Sequence, residues 1–348
     1  MLDSAPKDEI SYEFTERPEF GGTMPVADGV HWLRMPLPFA LGHINLWLLE
    51  DGEGWTIVDT GVSTEDCRGV WRRTFADAMN KRPVTRVLVT HLHPDHAGLA
   101  GWLIETHDVD LLMSREEYLL CRILVADTGR PAPDAGIRFY KGAGYSEKAL
   151  DKYQERFGTF GRYVAPLPDS YLRLQENDVI SIGKYEWRVI IGRGHSPEHA
   201  CLYCEDLNVL ISGDQILPTI SSNISVHPTE PAANPLADWM TSLHELRHKF
   251  PEDVLVLPAH GKPFRGAHIR LDQLIHEHDT GLRELFDLCK EPKRAVDTFP
   301  ALFKAKISGS NLMFATGESI AHLNYLLSAD QMTVSTDNGG VHWYQSRS

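Results

Sequence analysis

The stretch Thr90-His91-Leu92-His93-Pro94-Asp95-His96-Ala97-Gly98 holds three imidazoles and a carboxylate within six consecutive residues, directly after an apolar run. Neutral imidazole is the commonest side-chain ligand for zinc and similar ions, and a carboxylate adds charge that a divalent cation offsets. Without a metal, four such groups would repel one another on protonation and gain little from burial. The pattern therefore indicates a metal site.

Further ligand types follow three other short apolar runs of strand-like composition. These residues are His195, Asp214 and His260, and each has a glycine close by in the sequence. Glycine allows close backbone approach to an ion, and ligands of layered α/β folds gather at the C-terminal ends of strands. Alone, any one of the three is typical of a structural histidine or a turn aspartate. Because four run ends supply ligand types together, we predict that they share one site.

Length and composition indicate a globular protein with a large core and a smaller appended domain. The chain has 348 residues, of which 42% are hydrophobic and 24% charged. We find no uninterrupted apolar stretch of transmembrane length and no signal segment at the N-terminus, so we expect a cytoplasmic protein without membrane contact. The net charge of −14 argues against broad nucleic-acid binding. The expected partner is a small-molecule substrate; oligomeric state is not readable, and a homodimer stays open.

The five cysteines are scattered and odd in number, which argues against a disulfide framework. Cys201 and Cys204 have the spacing of a metal-binding or redox pair. The segment around them reads as a strand, however, in which residues three apart point to opposite faces. We therefore interpret both as buried apolar residues.

The order of strand-like and helical runs predicts an α/β protein with a four-layer αββα sandwich. Two strand-rich halves with helices outside them suggest this arrangement. We assign residues 1–29 to a polar lead-in, 30–265 to a catalytic domain with a helical insertion at about 114–161, and 266–348 to a linker helix and a small winged-helix-like domain. The last assignment rests on helices followed by a hairpin around Asn338-Gly339-Gly340.

The helical insertion is rich in aromatic residues. Tyr140, Tyr145, Tyr153 and Phe157 are the prominent ones. They either cover the site and shape a substrate pocket or pack the insertion onto the body of the protein. The sequence leaves both interpretations open.

The ligand pattern resembles that of the metallo-β-lactamase superfamily, in its hydrolase branch with glyoxalase II-like metal ligands. The family signature H-x-H-x-D-H and its three later ligands match His91, His93, Asp95, His96, His195, Asp214 and His260. The family's early aspartate matches Asp59, and the resemblance covers roughly residues 30 to 265. The segments 314–318 and 321–325 are similar to the C-terminal winged-helix region of a LACTB2-like subgroup.

The resemblance implies two divalent metal ions, with zinc expected and iron or manganese open. The first metal would be held by His91, His93 and His195, the second by Asp95, His96 and His260, and Asp214 would bridge them. Asp59 would orient a ligand histidine without binding metal itself. His199 either supports the site in the same way or pairs with backbone, and Glu198 stands where many family members carry glycine.

The chemistry implied is hydrolysis of a thioester, ester or lactone. A hydroxide bridging the two metals would attack the carbonyl, without a serine or cysteine nucleophile. Asp95 is the candidate for carrying a proton to the leaving group.

Two other enzyme classes remain as alternatives. The LACTB2-like tail favours a metal-dependent endoribonuclease, whereas the acidic net charge argues against it. A mononuclear iron enzyme of the persulfide dioxygenase type would not use His96 and His260 as ligands. A non-catalytic winged-helix interaction protein has no need of seven ligands.

Overall fold

The computed structural model describes residues 9–307, 309 and 311–347, and two sheets form its centre. The first sheet has seven strands in sequence order: β1 (Thr23–Ala27), β2 (Val30–Pro36), β3 (His43–Asp51), β4 (Gly54–Val58), β5 (Val84–Leu88), β6 (Asp110–Ser114) and β7 (Leu172–Leu174). Strands β1 to β4 pair antiparallel, and β4 to β7 pair parallel.

The second sheet has five strands. They are β8 (Val179–Ile182), β9 (Tyr185–Gly192), β10 (His199–Cys204), β11 (Val209–Gly213) and β12 (Leu255–Pro258). Their order across the sheet is β12-β11-β10-β9-β8, and only β11 and β12 pair parallel.

Helices cover the outer faces of both sheets. Their bounds are α1 (Glu65–Ala76), α2 (Pro94–Ala97), α3 (Ala100–His107), α4 (Arg115–Ala126), α5 (Asp134–Gly142), α6 (Glu147–Arg156), α7 (Pro235–Leu246), α8 (Ala267–Leu288), α9 (Phe299–Leu302) and α10 (Leu312–Ser328). Helices α1, α3 and α4 bury apolar residues against the first sheet, and α7, α8 and α10 bury theirs against the second. A third core fills the space between the sheets. The predicted four-layer αββα arrangement is therefore confirmed.

The alternation of strand residues produces these separate cores. In β10, Cys201 faces the helices while Leu202 faces the other sheet, and Cys204 also lies on the inter-sheet side. Both cysteines are fully buried and free. The interpretation of Cys201 and Cys204 as buried apolar residues on opposite faces is confirmed.

The predicted lead-in contains a strand that the sequence pattern did not reveal. Strand β1 pairs with β2 at the edge of the first sheet. Its central proline, Pro25, obscured the strand because proline cannot donate to a ladder and is tolerated only at edges or bulges. The register shifts between Pro25 and Ala27, as expected of such a bulge.

The aromatic residues of the insertion pack it against the C-terminal region. Tyr140, Tyr145 and Tyr153 form one cluster, to which Leu312 and Met313 of α10 belong at its margin. The Tyr145 hydroxyl also lies 3.1 Å from the Thr316 hydroxyl. Of the two interpretations that the sequence left open, these contacts favour packing.

Helix α10 begins earlier than its sequence indicates. The apolar pattern predicts a start near Ser319, because Thr316 and Gly317 have weak helix propensity. A Cβ at Gly317 would lie 2.6 Å from the Ser225 hydroxyl oxygen, so only glycine allows this approach. A hairpin of β13 (Met332–Thr336) and β14 (His342–Ser346) follows the helix. The winged-helix assignment and the domain boundaries stay predictions.

No helix in the described part of the chain is both long and apolar enough to cross a membrane.

A pair of buried histidines joins α8 to α10. His278 Nδ1 lies 3.3 Å from His322 Nε2, and both residues are less than 5% exposed. Burial lowers the pKa of His278 to about 3 and that of His322 to about 4. Both rings are therefore neutral in the folded protein at moderately acidic pH, whereas the unfolded chain takes up protons below about pH 6.5.

We expect this pair to make the protein sensitive to acid. Stability present above pH 6.5 is lost as pH falls, because only the unfolded state binds the protons. In urea denaturation with a chelator present, His278→Gln should reduce the stability lost between pH 7 and pH 5 by about 2 kcal/mol. The exposed His248 offers a matched control, His248→Gln, which should behave as wild type. An unchanged pH dependence in His278→Gln would contradict the expectation.

Candidate metal centre

The ends of four strands from both sheets bring the predicted ligands together. Strand β5 leads into the loop and short helix α2 that carry the residues 91–96, on the first sheet. The other three ligands follow strands of the second sheet: His195 after β9, Asp214 after β11 and His260 after β12. The centre therefore lies at one edge of the sandwich, between the two sheets.

The seven side chains form two neighbouring groups. In each group one potential ligand atom per residue lies within 4.8 Å of the others. The first group is His91, His93, His195 and Asp214, and the second is Asp95, His96 and His260. This division matches the two ligand sets that the resemblance implies, with Asp214 counted in the first.

Asp214 faces both groups. Its Oδ2 lies 3.4 Å from His195 Nε2 and 3.5 Å from His96 Nε2. Its Oδ1 lies 3.5 Å from His260 Nε2. One carboxylate therefore has an oxygen near each set of imidazoles, which is the arrangement a shared ligand requires.

Several of these atoms lack a hydrogen-bond partner. Among the described residues, the buried atoms without one include His96 Nε2, His195 Nε2 and Asp214 Oδ1. Buried polar atoms in proteins normally have partners, and divalent cations bound at the two ligand groups would satisfy all three. The donor set of imidazoles and carboxylates is one that zinc, iron and manganese accept. The residues therefore fit a metal centre.

The electrostatics of the cluster point the same way. Burial opposes charge on His96, but the carboxylates of Asp59 and Asp214 raise its pKa well above the usual value. The pKa of His260 is also raised, chiefly by the Asp214 carboxylate, although burial acts to lower it. Burial also opposes charge on Asp214, yet His96 and His260 hold its pKa well below the usual range. The carboxylates thus stabilise positive charge at the place where a cation would bind.

Asp59 fixes the orientation of His96. Its carboxylate accepts hydrogen bonds from the Thr90 backbone N–H at 2.8 Å and from His96 Nδ1 at 2.8 Å. The Thr90 hydroxyl adds contacts of 2.9 and 3.0 Å to the same carboxylate. Because Nδ1 is engaged, Nε2 of His96 is left facing the cluster. Asp59 therefore contacts His96 in the way expected of the orienting residue that the family resemblance implies.

Backbone carbonyls orient two further histidines. His195 Nδ1 donates to the Asn223 carbonyl at 2.9 Å, and His260 Nδ1 donates to the His43 carbonyl at 3.0 Å. In both rings the other nitrogen, Nε2, faces Asp214. Such bonds fix the tautomer and the ring plane of metal-binding histidines.

His199 contacts the ligands in two ways. Its Nε2 accepts the backbone N–H of Asp214 at 3.0 Å, and its ring stacks on His91 with centroids 4.7 Å apart. Burial holds its pKa well below the usual value, so the ring is neutral and able to accept. The sequence left open whether His199 supports the site or pairs with backbone. It does both in one hydrogen bond, because the backbone N–H that it binds belongs to the candidate ligand Asp214.

Two carboxylates near the centre were missed by the sequence analysis. Glu117, in the first turn of α4, is fully buried and accepts backbone N–H groups from both Leu92 and Glu198. Glu318, in α10, accepts the Asn223 side-chain amide at 2.6 Å. Glu117 has no distinct sequence signal, since acidic residues are ordinary in the first turn of a helix. Glu318 lies in the segment 314–318, whose family resemblance was the only signal in the sequence that could have pointed to it.

The contact at Glu318 links the C-terminal region to the candidate ligands. Asn223 offers its carbonyl to His195 and its side chain to Glu318. Burial raises the pKa of Glu318 to about 7. Asn223 lies in the segment 217–226, for which the sequence provided no interpretation.

The sequence matches known families over most of its length. Residues 40–261 match the family described as the metallo-beta-lactamase superfamily. Residues 282–347 match a second family, the metallo-beta-lactamase-like C-terminal domain.

Individual proteins are similar over a comparable span. A beta-lactamase domain protein from Burkholderia ambifaria has a crystal structure that matches with a TM-score of 0.89 and 43% identity, over 97% of this chain and 98% of its own. The probable metallo-hydrolase YqjP of Bacillus subtilis is 23% identical over 89% of this chain and 96% of its own. The acyl-coenzyme A thioesterase MBLAC2 of Bos taurus is 24% identical over 55% of this chain and 64% of its own.

Gly213, next to Asp214, should tolerate no side chain. Its φ is +49°, and a Cβ there would lie 2.5 Å from His199 Nε2. Gly52 is a matched control, because its φ is +60° and no atom lies within 4 Å of its added Cβ. Both Gly→Ala variants should lose roughly 1–2 kcal/mol to left-handed strain.

We expect Gly213→Ala to lose about 1–3 kcal/mol more than Gly52→Ala, because His199 must also move. The measurement is chemical denaturation of the two variants beside wild type. Equal losses would mean that the contact with His199 does not constrain position 213.

Proposed function

Because the chain belongs to the metallo-β-lactamase superfamily, we propose that it is a dinuclear metal-dependent hydrolase of a small-molecule thioester, ester or lactone. The observation that carries this proposal is the presence of two adjacent ligand groups with Asp214 between them. A mononuclear centre would leave Asp95, His96 and His260 without a role, although their side chains form a group that could hold a second cation.

The proposal assigns a ligand role to seven side chains. His91, His93 and His195 would hold one metal, Asp95, His96 and His260 the other, and Asp214 both. Zinc is the proposed metal, with iron or manganese as the alternatives. Two divalent cations held here would activate a water molecule and polarise the carbonyl of the substrate.

The remaining roles fall to groups that position the ligands. Asp59 holds His96 through Nδ1, and the carbonyls of His43 and Asn223 hold His260 and His195 in the same way. Asp95 is the candidate for carrying a proton to the leaving group, because its Oδ2 lies 3.3 Å from His260 Nε2 at the centre.

The similarity to an acyl-coenzyme A thioesterase supports a thioester as the first substrate class to test. The net charge of −14 argues against RNA as the substrate. The proposal therefore ranks thioesters, esters and lactones above a phosphodiester.

A substrate panel on metal-reconstituted protein tests the proposal. We expect hydrolysis of acyl-coenzyme A thioesters or lactones, lowered more than about 100-fold in His93→Ala, because loss of a ligand should exceed the effect of losing a group that orients one. The exposed His248→Ala serves as the control and should keep full activity. Cleavage of single-stranded RNA that His93→Ala abolishes, without ester hydrolysis, would overturn the assignment in favour of a nuclease. Oxygen-dependent turnover of a persulfide, with one iron per chain, would favour a dioxygenase.

Metal binding should release protons. His96 and His260 have raised pKa values in the metal-free protein and must lose any protons they carry to bind a cation, so loading at pH 7 should release protons. The apparent affinity should therefore rise with pH. Calorimetric titration with Zn²⁺ in buffers of different ionisation enthalpy measures the number.

The variant Asp59→Asn should release fewer protons than wild type, because Asp59 is the charge that raises the pKa of His96 most. Asp66, an exposed carboxylate in α1, provides the control Asp66→Asn, which should match wild type. Binding without proton release would contradict the charge state described for the metal-free centre.

A further inference from the structure

Glu117 joins the two loops that carry the imidazoles of the first ligand group. Its Oε2 accepts the backbone N–H of Leu92 at 2.9 Å, and its Oε1 accepts the backbone N–H of Glu198 at 2.8 Å. Leu92 stands between His91 and His93, and Glu198 is three residues after His195. The Glu117 side chain therefore links the loop that carries His91 and His93 to the loop that carries His195.

The contact is reciprocal. The carboxylate of Glu198 accepts the backbone N–H of Glu116 at 3.0 Å, and the carbonyl of Glu198 accepts the Ser114 hydroxyl at 2.7 Å. The end of β6 and the first turn of α4 thus hold the loop after β9 at three points, through Ser114, Glu116 and Glu117. Glu198 supplies all three, through its N–H, its carbonyl and its carboxylate, and only the carboxylate contact depends on its departure from the glycine common at this position in the family.

Burial makes the two bonds of Glu117 difficult to replace. The residue is 0% exposed, and its bond to the Leu92 N–H is buried while its bond to the Glu198 N–H is partly buried. Loss of the carboxylate would therefore leave the Leu92 N–H without ready access to water. A carboxylate has acceptors on both oxygens, whereas an amide has an acceptor on one side only. Glutamine of equal size can therefore satisfy one loop but not both.

We propose that Glu117 is a positioning residue that sets the distance between His195 and the His91–His93 pair. This inference rests on the proposed metal centre. The second ligand group depends on Glu117 much less, because His260 lies on a loop that Glu117 does not contact and His96 is held by Asp59. Loss of Glu117 therefore weakens one of the two metal sites selectively.

The test uses the full-length protein with the substitution Glu117→Gln. Stepwise titration with Zn²⁺ against a chromophoric chelator gives the affinity of each site. We expect one site to weaken by about 10- to 100-fold, the range for loss of a group that orients a metal ligand, and the other to change by less than about threefold. Glu116→Gln, an exposed carboxylate one residue away, should leave both affinities unchanged.

A second readout does not need the metal. Amide hydrogen exchange of the metal-free protein should show faster exchange at Leu92 or Glu198 in Glu117→Gln, since one of these groups loses its acceptor. Unchanged exchange at both amides would overturn the inference. Equal weakening of both sites, together with a large drop in melting temperature, would also overturn it in favour of a general structural role.

The same titration separates this inference from the proposed function. Wild-type protein that binds fewer than two Zn²⁺ ions would contradict the dinuclear centre, whatever the variant does. Wild-type protein that binds two, with a variant indistinguishable from it, would refute the role of Glu117 and leave the proposed function intact.

Discussion

The apolar core between the two sheets is the constraint on which the candidate site depends. The candidate ligands come from both sheets, so the separation of the strand ends that carry them follows from how the sheets pack. Within that frame, the proposed role of Glu117 is to set the remaining distance between His91 and His195. Leu88, at the end of β5, belongs to this core together with Ile211 and Leu257, which precede Asp214 and His260. The residues that hold the sheets together are thus close neighbours in sequence of those that would bind the metals. A shift of one sheet against the other would move residues 91–96 away from His195, Asp214 and His260 even if none of these residues were mutated.

The sequence was sufficient to predict the layers and the side chains that cluster as candidate ligands, because both leave local patterns. Histidines after an apolar run mark a strand end, and alternation within β10 placed Cys201 and Cys204 correctly. Strand β1 was not predicted, because Pro25 interrupts the strand pattern of its sequence. The segment is a strand because it pairs with β2. The first residues of α10 were not predicted to be helical, because the close approach of Gly317 to Ser225 is a tertiary contact that helix propensity does not describe.

The same limit applies to the groups that position the ligands. Asp59 was recognised only because a known family places an aspartate there. Glu117 accepts backbone N–H groups, and Asn223 offers its backbone carbonyl to His195. Contacts that involve backbone atoms leave no recognisable pattern in the sequence. Their identification required the fold, since each lies far from its partner in the chain. The clustered side chains of such a candidate site can thus be predicted from the sequence, whereas the groups that orient them are much harder to predict.

The hydrogen bond between Asn223 and Glu318 has a consequence for when the candidate centre is completed during synthesis of the chain. Synthesis proceeds from the N-terminus, so His91, His93 and His195 leave the ribosome well before α10 does. The segment that offers its carbonyl to His195 is held by Glu318, close to the end of the chain. A nascent chain can therefore present every imidazole of the centre while the support of His195 is still incomplete. The support of His195 would be complete only after α10 has been synthesised.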